Sequence, residues 1–408
     1  PCRGAAGLAS MVLMNAPPPV AASANSRGVA ALQTGRFEEA VRAFREAVAA
    51  DPGAGALHRN LASALRALGR DEEECQSLDE AIRLDRRDMV AWLRKAELHQ
   101  RRGDKGEALA AWSAALQLAE PLRPWEGPLA QALSGGERFR DEALATIRAE
   151  ARAALAGPMA ELDAIERRRV EALIAHATGA SRLYVNQCAG LYYPFLPMDE
   201  FFDDCHFPWF DRVAAATAEV RAELEALLVD PGEALRPYVR MGEGIAQNKW
   251  TALDNKLDWG ACFLWEYGEP NRAVLDRCPA TAALLGSIPD IQDIDGRSPS
   301  AFFSMLRPKT VIPAHTGVTN TRAIVHLPLI VPEGCAFRVG NEVRPWVEGK
   351  PFAFDDTIEH EAWNNSDELR AVLIFDVWNP HLSINEREMI RRYFQTADRT
   401  GYKPVTRD

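Results

Sequence analysis

The residues of this chain best suited to chemistry lie toward its C-terminal end. Pro313-Ala-His-Thr-Gly-Val-Thr-Asn320 places His315 forty-five residues before His360, which sits in Glu359-His360-Glu361-Ala-Trp363, and Arg370 follows ten residues later. Two neutral imidazoles on separate strand-like segments can hold one iron(II) ion and leave positions open for a bidentate 2-oxo acid and dioxygen. The usual third ligand, a carboxylate two residues after the first histidine, is absent, because that position is Gly317. Arg370 alternates with Val372, Ile374 and Asp376 on one strand face. Its planar fork suits a carboxylate, and an arginine on a largely apolar inward face must be paired. The partner is either a bound anion or, as a structural salt bridge, Asp376. Each imidazole also needs its other ring nitrogen fixed by an acceptor. Glu359, Glu361 and Asp355 are near enough in sequence to serve, or are simply surface charge. Taken singly, a strand histidine is more often a hydrogen-bonded core residue than a ligand. Spacing and neighbours set His315 and His360 apart; Ser304 and His326 complete the polar candidates nearby.

The elements that must carry these residues read as short strands over 301–307, 310–316, 322–331, 335–346, 351–356 and 369–378, with turn signals at Gly334, Gly340-Asn341, Gly349-Lys350 and Asn364-Asn-Ser366. That spacing predicts a sandwich or barrel. A helix is expected over 208–228 and a closing helix over 384–396. Upstream the texture is helical and periodic. Gly35, Gly69 and Gly103 recur every 34 residues, as do Phe44, Leu78 and Trp112, Ala47, Ala81 and Ala115, and the small residues Gly28, Ala62 and Ala96. Ala40 and Ala108 agree at a further position, where Glu74 departs. This resembles the tetratricopeptide repeat, a helix–turn–helix unit that buries its apolar face only by stacking. The breaker cluster Pro121 to Pro128 ends it, and helices near 136–156 and 159–177 follow.

The 408 residues therefore divide into a disordered N-terminus over 1–20, repeats over 21–120, a helical cap and linker over 121–180, and a strand-rich domain over 181–400. A net charge of −11 argues against sequence-independent nucleic-acid binding. Seven cysteines, none spaced as Cys-x-x-Cys, suit a reducing compartment, and no apolar run reaches the length of a membrane span. The run from Ala5 to Met14 loosely resembles a short signal peptide, but Asn15 and the prolines 17–19 break it. The expectation is a cytoplasmic protein with Met11 a plausible start.

From Ser304 to Pro380 the chain resembles the aspartyl/asparaginyl β-hydroxylase family of 2-oxoglutarate oxygenases. The resemblance rests on the His315 motif through Arg322, on His326-Leu-Pro-Leu-Ile-Val-Pro-Glu-Gly-Cys335, on Phe354-Asp-Asp-Thr-Ile-Glu-His-Glu-Ala-Trp363 and on Asp376-Val-Trp378, with weaker similarity back to Tyr193-Pro-Phe-Leu-Pro197. It implies an α + β protein in which a tetratricopeptide-like solenoid precedes a double-stranded β-helix of the jelly-roll type. It further implies iron(II) held by His315 and His360 alone, and 2-oxoglutarate held by Arg370 with Ser304 and His326. Glycine at 317 fits that family. The animal hydroxylases carry an arginine where Ile324 stands here; Arg322 or Arg338 is then the candidate to help hold the cosubstrate. The expected reaction hydroxylates an aspartyl or asparaginyl side chain of a peptide or protein held partly by the repeats, with release of succinate and CO2. A small molecule or lipid precursor is the alternative substrate, and a non-catalytic repeat scaffold the alternative role. Homo-oligomerisation is open.

Overall fold

The structure, a computed structural model, describes residues 18–401. Most of the segment expected to be disordered lies outside them, and the first helix already begins at Pro19. Two compact units meet in sequence after Leu162.

The first unit is built from helix pairs: α1 (Pro19–Gln33) with α2 (Phe37–Ala50), α3 (Gly55–Ala67) with α4 (Asp71–Leu84), and α5 (Met89–Arg102) with α6 (Lys105–Ala119). The period of 34 has a direct cause. Gly35, Gly69 and Gly103 turn the chain between paired helices with φ of +73°, +66° and +81°, a left-handed conformation that costs glycine little. Each small residue lies opposite its bulky partner: a Cβ on Gly28 would stand 2.6 Å from the Phe44 ring, and Ala62 with Leu78 and Ala96 with Trp112 share core clusters. Glu74, the departure from the pattern, is buried and receives a 2.7 Å bond from Arg101. Helix α7 (Gly127–Ala160) is longer than the expected 136–156, because Pro128 lies in its first turn, where a missing N–H leaves no bond unmade.

The second unit opens with α8 (Ala164–Ala177), started by a capping box between Asp163 and Glu166. Arg168 on α8 reaches Asp203 at 3.1 Å and Asp199 at 3.4 Å. In place of one helix over 208–228 the chain forms α9 (Phe210–Ala215) and α10 (Thr217–Val229), joined at Ala216. Val220, Leu224 and Leu227 of α10 pack in the main core. Two further helices, α11 (Arg272–Leu275) and α12 (Pro279–Gly286), follow, and α13 (Ile384–Thr400) closes the chain.

Eleven strands appear among the described residues: β1 (Arg236–Pro237), β2 (Trp259–Glu266), β3 (Glu269–Pro270), β4 (Ala301–Leu306), β5 (Thr310–His315), β6 (Arg322–Ile330), β7 (Cys335–Val339), β8 (Glu342–Pro345), β9 (Phe352–Phe354), β10 (His360–Asn364) and β11 (Arg370–Trp378). The single run expected over 335–346 is the hairpin β7–β8, turned at Gly340-Asn341. From β4 onward the strands distribute between two antiparallel sheets, one ordered β1-β2-β4-β11-β6-β9 and the other β5-β10-β7-β8. The eight strands from β4 to β11 thus pair as β4-β11-β6-β9 and β5-β10-β7-β8, a two-sheet order consistent with the expected double-stranded β-helix. A core including Leu306, Ile312, Phe337, Phe354 and Val372 draws side chains from both sheets. Strand β2 was not anticipated. It pairs with β4 and extends the larger sheet beside the site.

Candidate active site

The two histidines are cross-strand neighbours. His315 ends β5, His360 begins β10, and the two are register partners, with the extra residue of a bulge in β5 between Ile312 and His315. Their rings lie 4.1 Å apart, centroid to centroid. Sequence reasoning looked to carboxylates to orient them; backbone carbonyls do it instead. His315 Nδ1 is 2.8 Å from the carbonyl of Pro313, and His360 Nδ1 is 3.0 Å from that of Ile358. A carbonyl only accepts, so each Nδ1 carries the proton and each Nε2 keeps a free lone pair. Burial, with a contribution from His360, pushes the pKa of His315 down to about 3, and burial pushes His360 down to about 4. Both rings are therefore neutral near pH 7, the state a metal ligand needs. Glu359 and Glu361 point elsewhere and hold Arg338 at 2.9 and 2.5 Å, while Asp355 is tied to Thr357 and Asn186.

Among the described residues no cluster of three or more His, Cys, Asp or Glu is arranged to hold a metal. The pair stands without a carboxylate, and Gly317 shows why. A Cβ there would lie 2.1 Å from Asp356 Oδ2, so the Asp356 carboxylate fills the space a side chain at 317 would need. The Gly317 amide donates to the Asp356 backbone carbonyl at 2.6 Å.

Both histidines line a cavity of about 400 Å3 that also takes in Ser304, Arg322, His326, Asp356, Arg370 and Asp376. Arg370 is 1% exposed, yet among the described residues it has no acidic partner. Its Nη1 reaches only Ser304, at 3.4 Å to Oγ and 3.5 Å to the carbonyl, its Nε is unbonded, and its guanidinium lies 4.6 Å over the Trp346 ring. Burial alone pushes its pKa down to about 10. The salt bridge weighed as an alternative does not form, because Asp376 pairs with Arg322 at 3.1 Å. Arg322 also holds Asp356 at 2.8 Å, so its terminal nitrogens are taken by two carboxylates. It lines the cavity, but as the support of Asp356 it has little left to offer a ligand. Arg338, the other candidate, is not among the lining residues. His326 stacks on Trp346 at 5.3 Å, and its Nδ1 is buried without a partner. Trp259 donates to Ser304 Oγ at 3.1 Å.

Sequence reasoning missed the aromatic wall. Tyr238 stacks on Trp259 at 3.9 Å, and Trp250 meets the His315 ring at 5.0 Å. The apolar run Trp259-Gly-Ala-Cys-Phe-Leu-Trp265 was the available signal for the strand that builds it.

Comparison with known proteins finds similarity in both units. Residues 214–380 match the family described as Aspartyl/Asparaginyl beta-hydroxylase, and residues 25–89 match Tetratricopeptide repeat. The chain is 33% identical over 187 residues to the aspartyl/asparaginyl beta-hydroxylase of Homo sapiens, covering 45% of this chain and 24% of that protein. It is 35% identical over 182 residues to the ornithine lipid ester-linked acyl 2-hydroxylase of Rhizobium tropici, covering 44% of this chain and 60% of the relative. Aspartate beta-hydroxylase domain-containing protein 2 of Homo sapiens is 38% identical over 138 residues, or 33% of this chain and 37% of that one. The chain thus spans about a quarter to three fifths of these relatives, and the family match over residues 214–380 includes the strands that carry the paired histidines. Its strand-rich part is thus similar to the aspartyl/asparaginyl β-hydroxylase family, and its N-terminal helices to the tetratricopeptide repeat.

Proposed function

We propose that the second domain is an iron(II)- and 2-oxoglutarate-dependent hydroxylase. The observation that carries the reading is Arg370: a guanidinium buried on the cavity wall with no carboxylate to neutralise it, beside two neutral imidazoles whose Nε2 atoms are free. A buried charge needs a partner, and the distal carboxylate of a 2-oxo diacid supplies one. The residues fit both groups. His315 and His360 would hold the metal, Arg370 and Ser304 the distal carboxylate, and His326, with its unpartnered Nδ1, an oxygen at the metal end. Once bound, iron and cosubstrate supply the oxidation, turning dioxygen and 2-oxoglutarate into succinate, CO2 and a hydroxylated C–H bond. The chain's own residues position and exclude water. Two carbonyls fix the imidazole tautomers, Arg322 holds Asp356 in the space beside Gly317, and Trp250, Trp259 and Phe354 close the sides.

One reading of the substrate, supported by the resemblance, is an aspartyl or asparaginyl side chain of a peptide that the repeats anchor. The name of the Rhizobium tropici relative gives a second reading, an acyl chain, and the aromatic wall of the cavity favours it. Cytoplasmic location remains part of the proposal, supported by free cysteines; no helix is long and apolar enough to cross a membrane among the described residues. The deciding experiment is iron- and dioxygen-dependent release of succinate from 2-oxoglutarate by the full chain, lost in His315→Ala and His360→Ala. Full succinate release by both variants would overturn the reading.

A further inference from the structure

Building on the hydroxylase reading, we infer that the arm over residues 186–190 is a strap that holds the two histidines of the proposed metal site at a fixed separation, and that Asn186 is its positioning residue. His315 and His360 form the last register pair of β5 and β10. Beyond them both segments leave the ladder as loops, 316–321 and 355–359. Among the described residues one main-chain bond joins these loops directly, from the Gly317 amide to the Asp356 carbonyl. The arm, itself outside any strand, bonds to both. The Gln187 amide donates to the Thr357 carbonyl at 2.7 Å, and the amides of Ala189 and Gly190 donate to the carbonyls of Gly317 and Val318 at 3.1 and 2.8 Å. The Cys188 side chain, in the middle, meets Thr357 and the Asn320 backbone. Gly190 comes so close that a Cβ on it would stand 2.9 Å from Val318 Cγ1.

Asn186 is the side chain through which the arm acts on His360. Its Nδ2 donates to Asp355 Oδ2 at 2.7 Å and to Thr357 Oγ1 at 2.8 Å. The other Asp355 oxygen accepts from the Thr357 amide at 3.0 Å and from its hydroxyl at 2.6 Å, and the Ile358 amide closes the turn on the Asp355 carbonyl at 3.1 Å. The Ile358 carbonyl is the acceptor that orients His360. The asparagine amide thus sets the turn, the turn sets the carbonyl, and the carbonyl sets the imidazole. This placement has a cost, since Asn186 Oδ1 is buried with no hydrogen-bond partner among the described residues. A site with two protein ligands depends on such support more than a site with three. A third ligand would hold the metal against movement of either ring, whereas here the separation of the two Nε2 atoms is set by the strand ends and loops alone.

Cobalt(II), a coloured substitute for iron(II), tests the strap on the full chain without turnover. Titration followed through the visible cobalt bands reads affinity and ligand arrangement together. Asn186→Ala should weaken cobalt(II) binding at least about tenfold, as loss of support behind a metal ligand does, and should shift the bands. Asn186→Asp, which sets a second carboxylate against Asp355, should weaken it further. The exchanged pair Asn186→Asp/Asp355→Asn keeps one donor and one acceptor across the contact and should regain most of the lost affinity and the parent's bands. Asn341→Ala cuts the bonds to the arm at Arg182, away from both loops, and should lower the melting temperature without moving the bands. Parental affinity and bands in Asn186→Ala overturn the inference, as does an equal loss in Asn341→Ala or an exchanged pair that folds and regains nothing. Cobalt(II) binding by the parent and its loss in His315→Ala are measured in parallel. Their presence with unaffected Asn186 variants sinks the strap alone, whereas their absence sinks the metal site and with it the hydroxylase reading.

Discussion

Arg370 should show opposite effects on folding and on cosubstrate binding. Its charge is buried with only two long contacts to Ser304 and the face of Trp346 to offset the loss of water. Burial alone pushes its pKa down from the ordinary arginine value to about 10. At ~1.4 kcal/mol per pKa unit, that is a folding cost on the order of 3 kcal/mol. Near neutral pH the group is charged in both folded and unfolded chains, so the cost is constant there and eases only as pH rises toward 10. Arg370→Met keeps the length and removes the charge. Without ligand the variant should be as stable as the parent or more so, as happens when a buried ionic group gives way to an apolar one. For 2-oxoglutarate the sign reverses. Losing one partner of a buried charge pair costs about 2–5 kcal/mol, which is roughly thirtyfold to several thousandfold in affinity. Urea unfolding of the ligand-free proteins and calorimetric titration with 2-oxoglutarate measure the two effects separately. A variant that unfolds more easily yet binds 2-oxoglutarate normally would make Arg370 a structural cation and remove the main support of the proposed function.

Other expectations follow from the same geometry. The imidazoles of His315 and His360 take up protons only near pH 3 and 4 when folded but near 6.5 when unfolded, so the unfolded chain binds more protons in between. Stability should therefore fall as pH drops from 6.5 toward 4, by up to ~1.4 kcal/mol per pH unit for each ring, and urea midpoints of the His315→Gln/His360→Gln double variant should be flatter than the parent's over that window. Gly317→Ala sets a Cβ against the Asp356 carboxylate and should cost about 1–3 kcal/mol, read by urea unfolding; an unchanged midpoint would mean that Asp356 moves freely. Arg322→Ala strands the Asp356 and Asp376 carboxylates and should cost on the order of 3–5 kcal/mol at pH 7, easing as pH falls and Asp376, whose pKa burial already raises, protonates. A chain beginning at Asp163 should fold and bind 2-oxoglutarate, whereas one beginning at residue 181 loses α8 and the ion pairs of Arg168 and should melt earlier, as thermal scans would show.

How much of this was legible beforehand depended on whether a residue's role is local or set by its neighbours. The repeats were readable because each demand recurs at a fixed offset: a left-handed turn at Gly35, Gly69 and Gly103, and a small residue opposite a bulky one at Gly28 and Phe44. The site residues on β5, β10 and β11 were readable because imidazoles and a lone arginine amid apolar strand residues are rare combinations. Asp356 and Arg322 were not, since nothing in the sequence says that a carboxylate four residues before His360 fills the space beside Gly317, or that one guanidinium serves acids 34 and 54 positions away. Nor was the orientation of the histidines legible. Their acceptors are the carbonyls of Pro313 and Ile358, which any sequence could offer and only the bend of the strands aims. The aromatic wall belongs to the same class. Tyr238 and Trp259 lie far from the motif in the chain and reach it only because β2 pairs with β4. The end of the cavity lined by His315, His360 and Arg370 is therefore written in local motifs, while its aromatic wall is assembled from distant strands. That is why the paired histidines and Arg370 could be picked out in the chain and the aromatic wall could not.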